Sequence, residues 1–278
     1  MMEFIPQSAE KEIERTLDRV GAVVNQIQGA QRSILELQSQ ATIYRGLATI
    51  GIAASVFGHE TQSSLAGFVG ATYNISRFLK QSPPNIGAAI TSIDTAKKYA
   101  DQVGSWGKFA LARIRTDKRR KGPVDMKELA TEIADALEPA MGAVNIRVIR
   151  QLATVEGNTF AMDAEAVLLN LLTNAYTACQ QTKRRRVIRI KLNAKTVDGV
   201  DGCELTVADS GPGVASEFRD RVWDPLFSTK IDEGGRQIGT GLGLAIVQSI
   251  VTDLKGRRRV DTDSELRGAR FIIWLPLE

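Results

Sequence analysis

A chain of 278 residues that is 43% apolar and 24% charged can fill one or two packed domains and is too hydrophobic to stay disordered. No apolar run approaches the roughly 18 residues needed to span a bilayer, and Met1-Met2-Glu3-Phe4-Ile5-Pro6 lacks the basic-then-apolar order of a signal peptide, so the expectation is a soluble, cytoplasmic protein with no membrane span. Cys179 and Cys203 are the only cysteines and lack metal-ligand spacing, which argues for two reduced core thiols rather than a disulfide framework or a zinc site. The net charge of +4 is concentrated in Lys118-Arg119-Arg120-Lys121, Lys183-Arg184-Arg185-Arg186 and Arg257-Arg258-Arg259. These runs carry no interleaved aromatics and fall at a linker or at strand entries, so they read as solvated surface rather than as a nucleic-acid patch.

From about Ala9 to Lys80 there is no proline, and Ile13, Leu17, Val20, Val24, Ile27 and Ile34 recur at alternating steps of four and three. That is a heptad seam, weakened at Gln31 and Gln38, and a lone helix of this length has nothing to bury its stripe against. The pattern predicts a long dimeric helix stopped by Ser82-Pro83-Pro84-Asn85. A second helical pattern runs from about Ile86 to Arg115, with Ile90, Ile93, Ala96, Ala100, Val103, Phe109 and Ile114 on its apolar side. Two such hairpins would pair into a four-helix bundle. Thr116 to Pro123 reads as a charged linker ending in Gly122-Pro123.

Beyond it the pattern becomes mixed. Asp125-Met126-Lys127-Glu128 reads as a capped helix start running to about Met141, Asn145 to Leu152 as a strand, and Asp163 as the opening of an apolar helix to about Gln181. Val187 to Val197 and Cys203 to Ala208 alternate as strands, and Gly213 to Gly239 reads as a lid without regular structure. Gly241 to Leu254 is helical, and Arg258 to Thr262 with Ala269 to Leu275 close a sheet. The expected fold is an all-α dimerisation hairpin with an N-terminal coiled coil, followed by an α+β sandwich with helices on one face. The corresponding segments are a coiled coil over 1–55, a hairpin over 56–115, a linker over 116–124 and the sandwich over 125–278.

Four short stretches in that last segment carry chemistry. Asn170 and Asn174, in Asn170-Leu171-Leu172-Thr173-Asn174-Ala175, are four apart on a helix and so share one face; an amide oxygen is a neutral hard ligand for magnesium, and Asn174 is the candidate metal ligand. Asp209-Ser210-Gly211-Pro212-Gly213 places a carboxylate at a strand end, able to accept from an exocyclic amine, beside Gly211 and Gly213, which permit close approach of the chain. Gly239-Thr240-Gly241-Leu242-Gly243 opens a helix whose free amides suit an anion. It is not a Walker loop, and it does not follow a strand as a dinucleotide fingerprint does. Between these stretches, Asp224-Pro225-Leu226-Phe227-Ser228-Thr229-Lys230 supplies Phe227 as an aromatic anchor, with Lys230 as an ammonium for phosphates. Taken singly, each stretch also has an ordinary reading as helix surface, turn or loop.

In this order and context the four boxes resemble the ATP site of the superfamily of two-component sensor histidine kinases, gyrase-type, mismatch-repair and heat-shock chaperone ATPases. The resemblance implies ATP bound with Mg2+ under a flexible lid, with Asp209 on adenine and Asn174 on the metal. It also implies nucleotide contacts from Asn170, Gly211, Gly213, Phe227, Thr229, Lys230, Gly239, Thr240, Gly241, Leu242 and Gly243. The water-hydrolysing branches resemble one another in carrying a glutamate base where this chain has Asn170, which cannot take a proton at neutral pH, so ATP hydrolysis as the main task is disfavoured.

The only histidine, His59, is then the nucleophile available. Phe57-Gly58-His59-Glu60 is similar to the histidine kinase phosphoacceptor box, which implies catalytic roles for His59, Glu60 and Ser63. Ser64 stands where that box has a proline, so no kink is encoded there. Ser63 is a less typical occupant of the polar position, and phosphatase activity is left open. The expectation is a homodimeric histidine kinase passing phosphate from ATP to His59 and on to an aspartate of a response-regulator receiver domain. The coil is too small for a ligand-sensing domain, so input is expected from a separate sensory protein or a segment absent from this chain. The alternatives are a catalytically silent ATP-binding regulator and an ATP-driven clamp on DNA.

Overall fold

The structure is a computed structural model that describes residues 7–112, 121–228 and 240–277, with side chains described for only part of the first two helices. By its internal contacts the chain divides into Met1–Tyr44 and Arg45–Glu278. Proline-free sequence forms one helix, α1 (Gln7–Leu79). In this single chain Val20, Val24 and Ile27 of the heptad seam are about half exposed. Ser82-Pro83-Pro84 ends the helix, and Asn85 caps α2 (Ile86–Ala112) by accepting the Ala88 N–H at 3.0 Å. This helix ends at Ala112 rather than at Arg115; residues 113–120, with most of the first basic run, lie outside the described residues. Tyr99 of α2 lies against Gly67 of α1, where a Cβ would collide with its ring. Both residues sit about a dozen positions from the turn, the register of an antiparallel hairpin.

Gly122-Pro123 does not close a linker. Both residues lie in β1 (Lys121–Asp125), which pairs antiparallel with β3 (Glu156–Phe160), a strand that periodicity did not reveal. A two-stranded ribbon has a free edge on each strand, so a residue without an N–H is tolerated there. Asp125 then caps α3 (Met126–Ala143), accepting from Lys127 N at 2.8 Å and Glu128 N at 3.0 Å.

The main sheet has the order β2-β4-β5-β7-β6, formed by β2 (Ile146–Leu152), β4 (Arg186–Ala194), β5 (Gly202–Asp209), β6 (Arg257–Thr262) and β7 (Ala269–Pro276). β2 and β4 are parallel and the other pairs antiparallel, so the sheet is mixed. Between β2 and β4 the chain passes through β3 and α4 (Ala161–Gln180), which begins at Ala161, two residues before the expected Asp163. The last helix is α5 (Gly243–Asp253). These observations establish a helical N-terminal region followed by an α/β domain.

The core lies between one face of this sheet and α3, α4 and α5. Period-two alternation selects that face: Ile188, Ile190 and Leu192 of β4, Cys203, Leu205 and Val207 of β5, and Phe271, Ile273 and Leu275 of β7 are buried, while Arg189 and Lys191 point the other way. Helical spacing selects Ala164, Val167, Leu168, Leu171, Leu172, Ala175 and Cys179 on α4. The stretch expected to be an irregular lid is partly built in. Ser216–Phe218 and Arg221–Trp223 are short 3₁₀ helices, and Trp223 is buried, with Arg258 stacked over its ring at 4.7 Å and Phe271 edge-on at 5.7 Å. Burying an indole fixes this half of the stretch. Residues 229–239 lie outside the described residues.

Candidate functional site

A cavity of about 180 Å³ opens between α4, the end of β5 and the start of α5. Its position follows from register. Asp209 is two residues beyond Val207 on the inward face of β5, paired with Ile188 of β4 at the last position of the strand, so its carboxylate points inward just where the hydrophobic layer stops. The group is 1% exposed. Its Oδ1 accepts from Gly211 N at 2.8 Å and from Ala269 N at 3.3 Å, so the fold holds the carboxylate by two backbone amides. Gly211 and Gly268 allow this closeness: a Cβ at Gly211 would stand 2.8 Å from Asp209 Oδ1, and one at Gly268 would collide with Asp209 itself. Gly213 takes φ +82°, the left-handed region glycine adopts without strain.

The opposite end is built from helix termini. Asn170 and Asn174 line the cavity from α4, and Gly243, the first residue of α5, faces both: a Cβ there would be 2.9 Å from Asn170 Oδ1 and 3.8 Å from Asn174 Nδ2. The leading amides of α5 have no partner within the helix, which gives that end positive character. Gly241 has φ +64° and its carbonyl accepts from Leu226 N at 3.0 Å, with Leu226 itself at φ +65°. A Cβ at Gly241 would come 2.5 Å from the Leu226 carbonyl carbon, so only glycine lets the two loops meet. Between the ends, α4 carries Asn170 near Gly243 and Ala178 near Gly211. Eight residues of helix separate them, about 12 Å.

Asn170, Asn174, Asp209, Gly213, Phe227, Thr240, Gly241 and Gly243 thus share one cavity. Gly211 stands behind Asp209 and Leu242 is the N-cap of α5, its N–H donated to Thr240 Oγ1 at 3.3 Å; neither lines the cavity. Thr229, Lys230 and Gly239 lie outside the described residues. His59 and Glu60 fall within α1 but their side chains are likewise outside the description, while Ser63 is exposed and Ser64 buried. Thr173, Thr177, Val214, Ala269 and Phe271 also line the cavity. The threonines stand one turn apart on the asparagine face of α4, a spacing present in the sequence; Ala269 and Phe271 come from a strand whose pairing no local pattern discloses.

Among the described residues no group of three or more His, Cys, Asp or Glu side chains could hold a metal ion. At the α5 end of the cavity the side-chain donors named for a metal are the amides of Asn170 and Asn174, so a divalent cation fits there when a polyanionic ligand brings most of its coordination. Two of the basic runs are engaged within the chain. Arg184 donates to Ser210 O and Gly211 O, Arg186 to Val144 O, Arg257 pairs with Asp198, and Arg259 with Asp261. The arrangement suits a ligand with a base carrying an exocyclic amine at one end and phosphates at the other.

Residues 161–278 match the family described as histidine kinase-, DNA gyrase B- and HSP90-like ATPase. The chain is 28% identical over 251 residues to the sensor histidine kinase ZraS of Escherichia coli O157:H7, covering 88% of this chain and 50% of the relative. It is 36% identical over 121 residues to the sensor histidine kinase CpxA of Escherichia coli K12, covering 44% of this chain and 24% of the relative. The chain therefore spans about half the length of the first curated relatives it matches. Among solved structures, the catalytic domain of histidine kinase ThkA is similar over 57% of this chain and 96% of its own, at 23% identity and a TM-score of 0.48. No described helix is long and apolar enough to cross a membrane.

Proposed function

We propose that this chain is the signalling and catalytic portion of a sensor histidine kinase, an ATP-dependent enzyme that phosphorylates His59 and hands the phosphoryl group to an aspartate of a response-regulator receiver domain. The observation that carries the reading is the shared cavity of Asp209, Asn170, Asn174 and the α5 N-terminus in a region matching the family. In this reading the carboxylate of Asp209 accepts a hydrogen bond from the adenine amine, with Gly211 and Gly213 letting the chain lie close to the base. Thr240, Gly241, Leu242 and Gly243 present backbone amides to the phosphates, joined by Gly239 and by Thr229 and Lys230 of the lid, and Phe227 anchors that lid against the domain. Asn174, with Asn170 beside it, would hold Mg2+ against the phosphates, and the ion would supply charge neutralisation there.

Asn170 is buried with its amide bonded to neighbours, and no amide can serve as a base toward water. That disfavours water as the acceptor, and this reading assigns the phosphoryl group to a side chain. A neutral imidazole nitrogen of His59 attacks the γ-phosphorus in line, the N–P bond forms as the bond to the β,γ-bridging oxygen breaks, and ADP departs with that electron pair. Glu60 takes up the proton from the other ring nitrogen. A carboxylate oxygen of the receiver aspartate then attacks the phosphorus, the N–P bond breaks as the O–P bond forms, and the departing imidazole keeps that electron pair and regains a proton at its other ring nitrogen.

A second copy of the chain is the partner this reading requires. Leu65, Val69 and Tyr73 of α1, four apart, and Ile86, Ile90 and Ile93 of α2 are about half exposed or more. Two single-sided apolar stripes on one hairpin suit a four-helix bundle. Sensory input is assigned to a partner protein or to a further segment.

The test is incubation with γ-labelled ATP and Mg2+ beside His59→Gln. An acid-labile, base-stable label on the parent alone is the expected result; label on both, or ATP bound with no label on either, refutes transfer to His59.

A further inference from the structure

We infer that about two turns of α1, Arg45 to Ile52, are a latch that holds the nucleotide domain on the helix short of His59. Its consequence for activity rests on the proposed kinase function. Four of the described residues make the contact. Arg45 pairs with Asp253 at the end of α5 and lies 3.9 Å from Asp163 at the start of α4. Gly46 is closed over by Met162, whose sulfur would lie 2.7 Å from a Cβ there. Thr49 Oγ1 accepts from Asn170 Nδ2 at 3.0 Å, with Thr49 3% and Asn170 1% exposed. Ile52 forms part of the cavity wall. Arg45, Thr49 and Ile52 are spaced i, i+4, i+7, so they present a single helix face.

The Thr49 bond sets a site residue. Asn170 Nδ2 has two hydrogens, and both are used, one on Thr49 and one on Ala166 O at 2.8 Å. The amide is thereby locked with its oxygen toward Gly243 and the first turn of α5. A helix that carries the phosphoacceptor thus also orients a group in the nucleotide cavity.

The same contact misplaces the cavity for transfer. His59 lies seven residues beyond Ile52 on α1, about 10 Å along the axis. While Arg45 and Thr49 are engaged, the cavity wall includes Ile52, about two turns of helix before His59. The contact is small and partly ionic, with Asp253 half exposed, so a shift or rotation of α1 can break it. An input arriving along α1 would act by turning this face away.

The test uses the full chain and three variants, Arg45→Glu, Thr49→Val and the charge swap Arg45→Glu with Asp253→Arg. Amide hydrogen exchange over residues 45–52 and 162–170 is read beside autophosphorylation of His59. Release should raise exchange in both single variants and raise the initial labelling rate by roughly 5-fold to 30-fold, the effect of losing one or two weak contacts; the swap should bring both part of the way back, because the carboxylate it places at position 45 still meets Asp163. Unchanged exchange in the single variants overturns the latch whether or not the chain is a kinase. Faster exchange with an unchanged or lower labelling rate, in a parent that does label, overturns the gating role. Faster exchange with no label on any form supports the latch and refutes the kinase reading instead.

Discussion

Replacing Asp209 with asparagine separates the two tasks of this carboxylate. Its Oδ1 serves the fold, accepting from Gly211 N and Ala269 N, and an asparagine oxygen can accept the same two bonds. Asp209→Asn should therefore unfold close to the parent, shifted by about 1 kcal/mol from weakened charge-assisted bonds. The other atom changes from acceptor to donor and would face the adenine amine donor to donor. Losing a hydrogen bond to a charged group costs about 1.5 to 3 kcal/mol, so ATP affinity should fall by roughly 10-fold to 150-fold. A 6-oxopurine nucleotide such as ITP presents an acceptor there, and its affinity should fall less or rise. Calorimetric titration of both nucleotides into both proteins, with denaturant melts alongside, reads all of this. Equal ATP affinity in parent and Asp209→Asn, or parallel losses for ATP and ITP, would refute the assignment of Asp209 to the base. Asp209→Ala supplies the contrast: it strands two buried amides, and each costs about 1 to 3 kcal/mol.

Gly241→Ala should lower thermal stability and nucleotide affinity together, because a Cβ at φ +64° meets the Leu226 carbonyl carbon and pushes apart two loops of the cavity; left-handed strain alone is about 1 to 2 kcal/mol. Unchanged melting temperature and affinity would show that these loops do not need to meet. Burial pushes the Cys203 thiol from its ordinary 9.0 up to about 11. The unfolded thiol ionises first as pH rises, so the stability this residue contributes is complete below about pH 9 and lost through about pH 11, roughly 2 to 3 kcal/mol in all. Urea melts at pH 8 and 10.5 should show that loss in the parent and a smaller one in Cys203→Ala. Asn85→Ala, which removes the acceptor for Ala88 N, should cost about 1 kcal/mol by the same melts.

Much of the site is local and was therefore readable in one dimension. The spacing of Asn170 and Asn174 places them on one helix face whatever surrounds that helix, and the alternation through Val207 carries Asp209 to the inner face of its strand. Proline-free sequence from Ala9 to Lys80 forms α1, and Asp125 caps α3, because capping and helix continuity are decided by near neighbours. The same periodicities predicted mixed helix and strand in the second half, as an α+β sandwich; the parallel pairing of β2 with β4 that makes the sheet mixed was not among them. Where two elements compete on weak local signals the reading failed. Gly122-Pro123 looks like a linker end until β3 supplies its pairing partner, and Arg221–Trp223 looks like loop until the indole finds Phe271 and Arg258.

By itself, then, the sequence determined which elements form, which faces are apolar and which residue types could meet a nucleotide. Tertiary structure alone decided which distant segments complete the cavity. Ala269 donates to Asp209 across 60 positions because β7 pairs with β5, and Thr49 reaches Asn170 across 121 because one turn of α1 packs on α4. Periodicity reports how a side chain is directed from its own element, and it contains no term for which other element stands opposite. That choice is made by the burial of whole faces, summed over many residues of the domain at once.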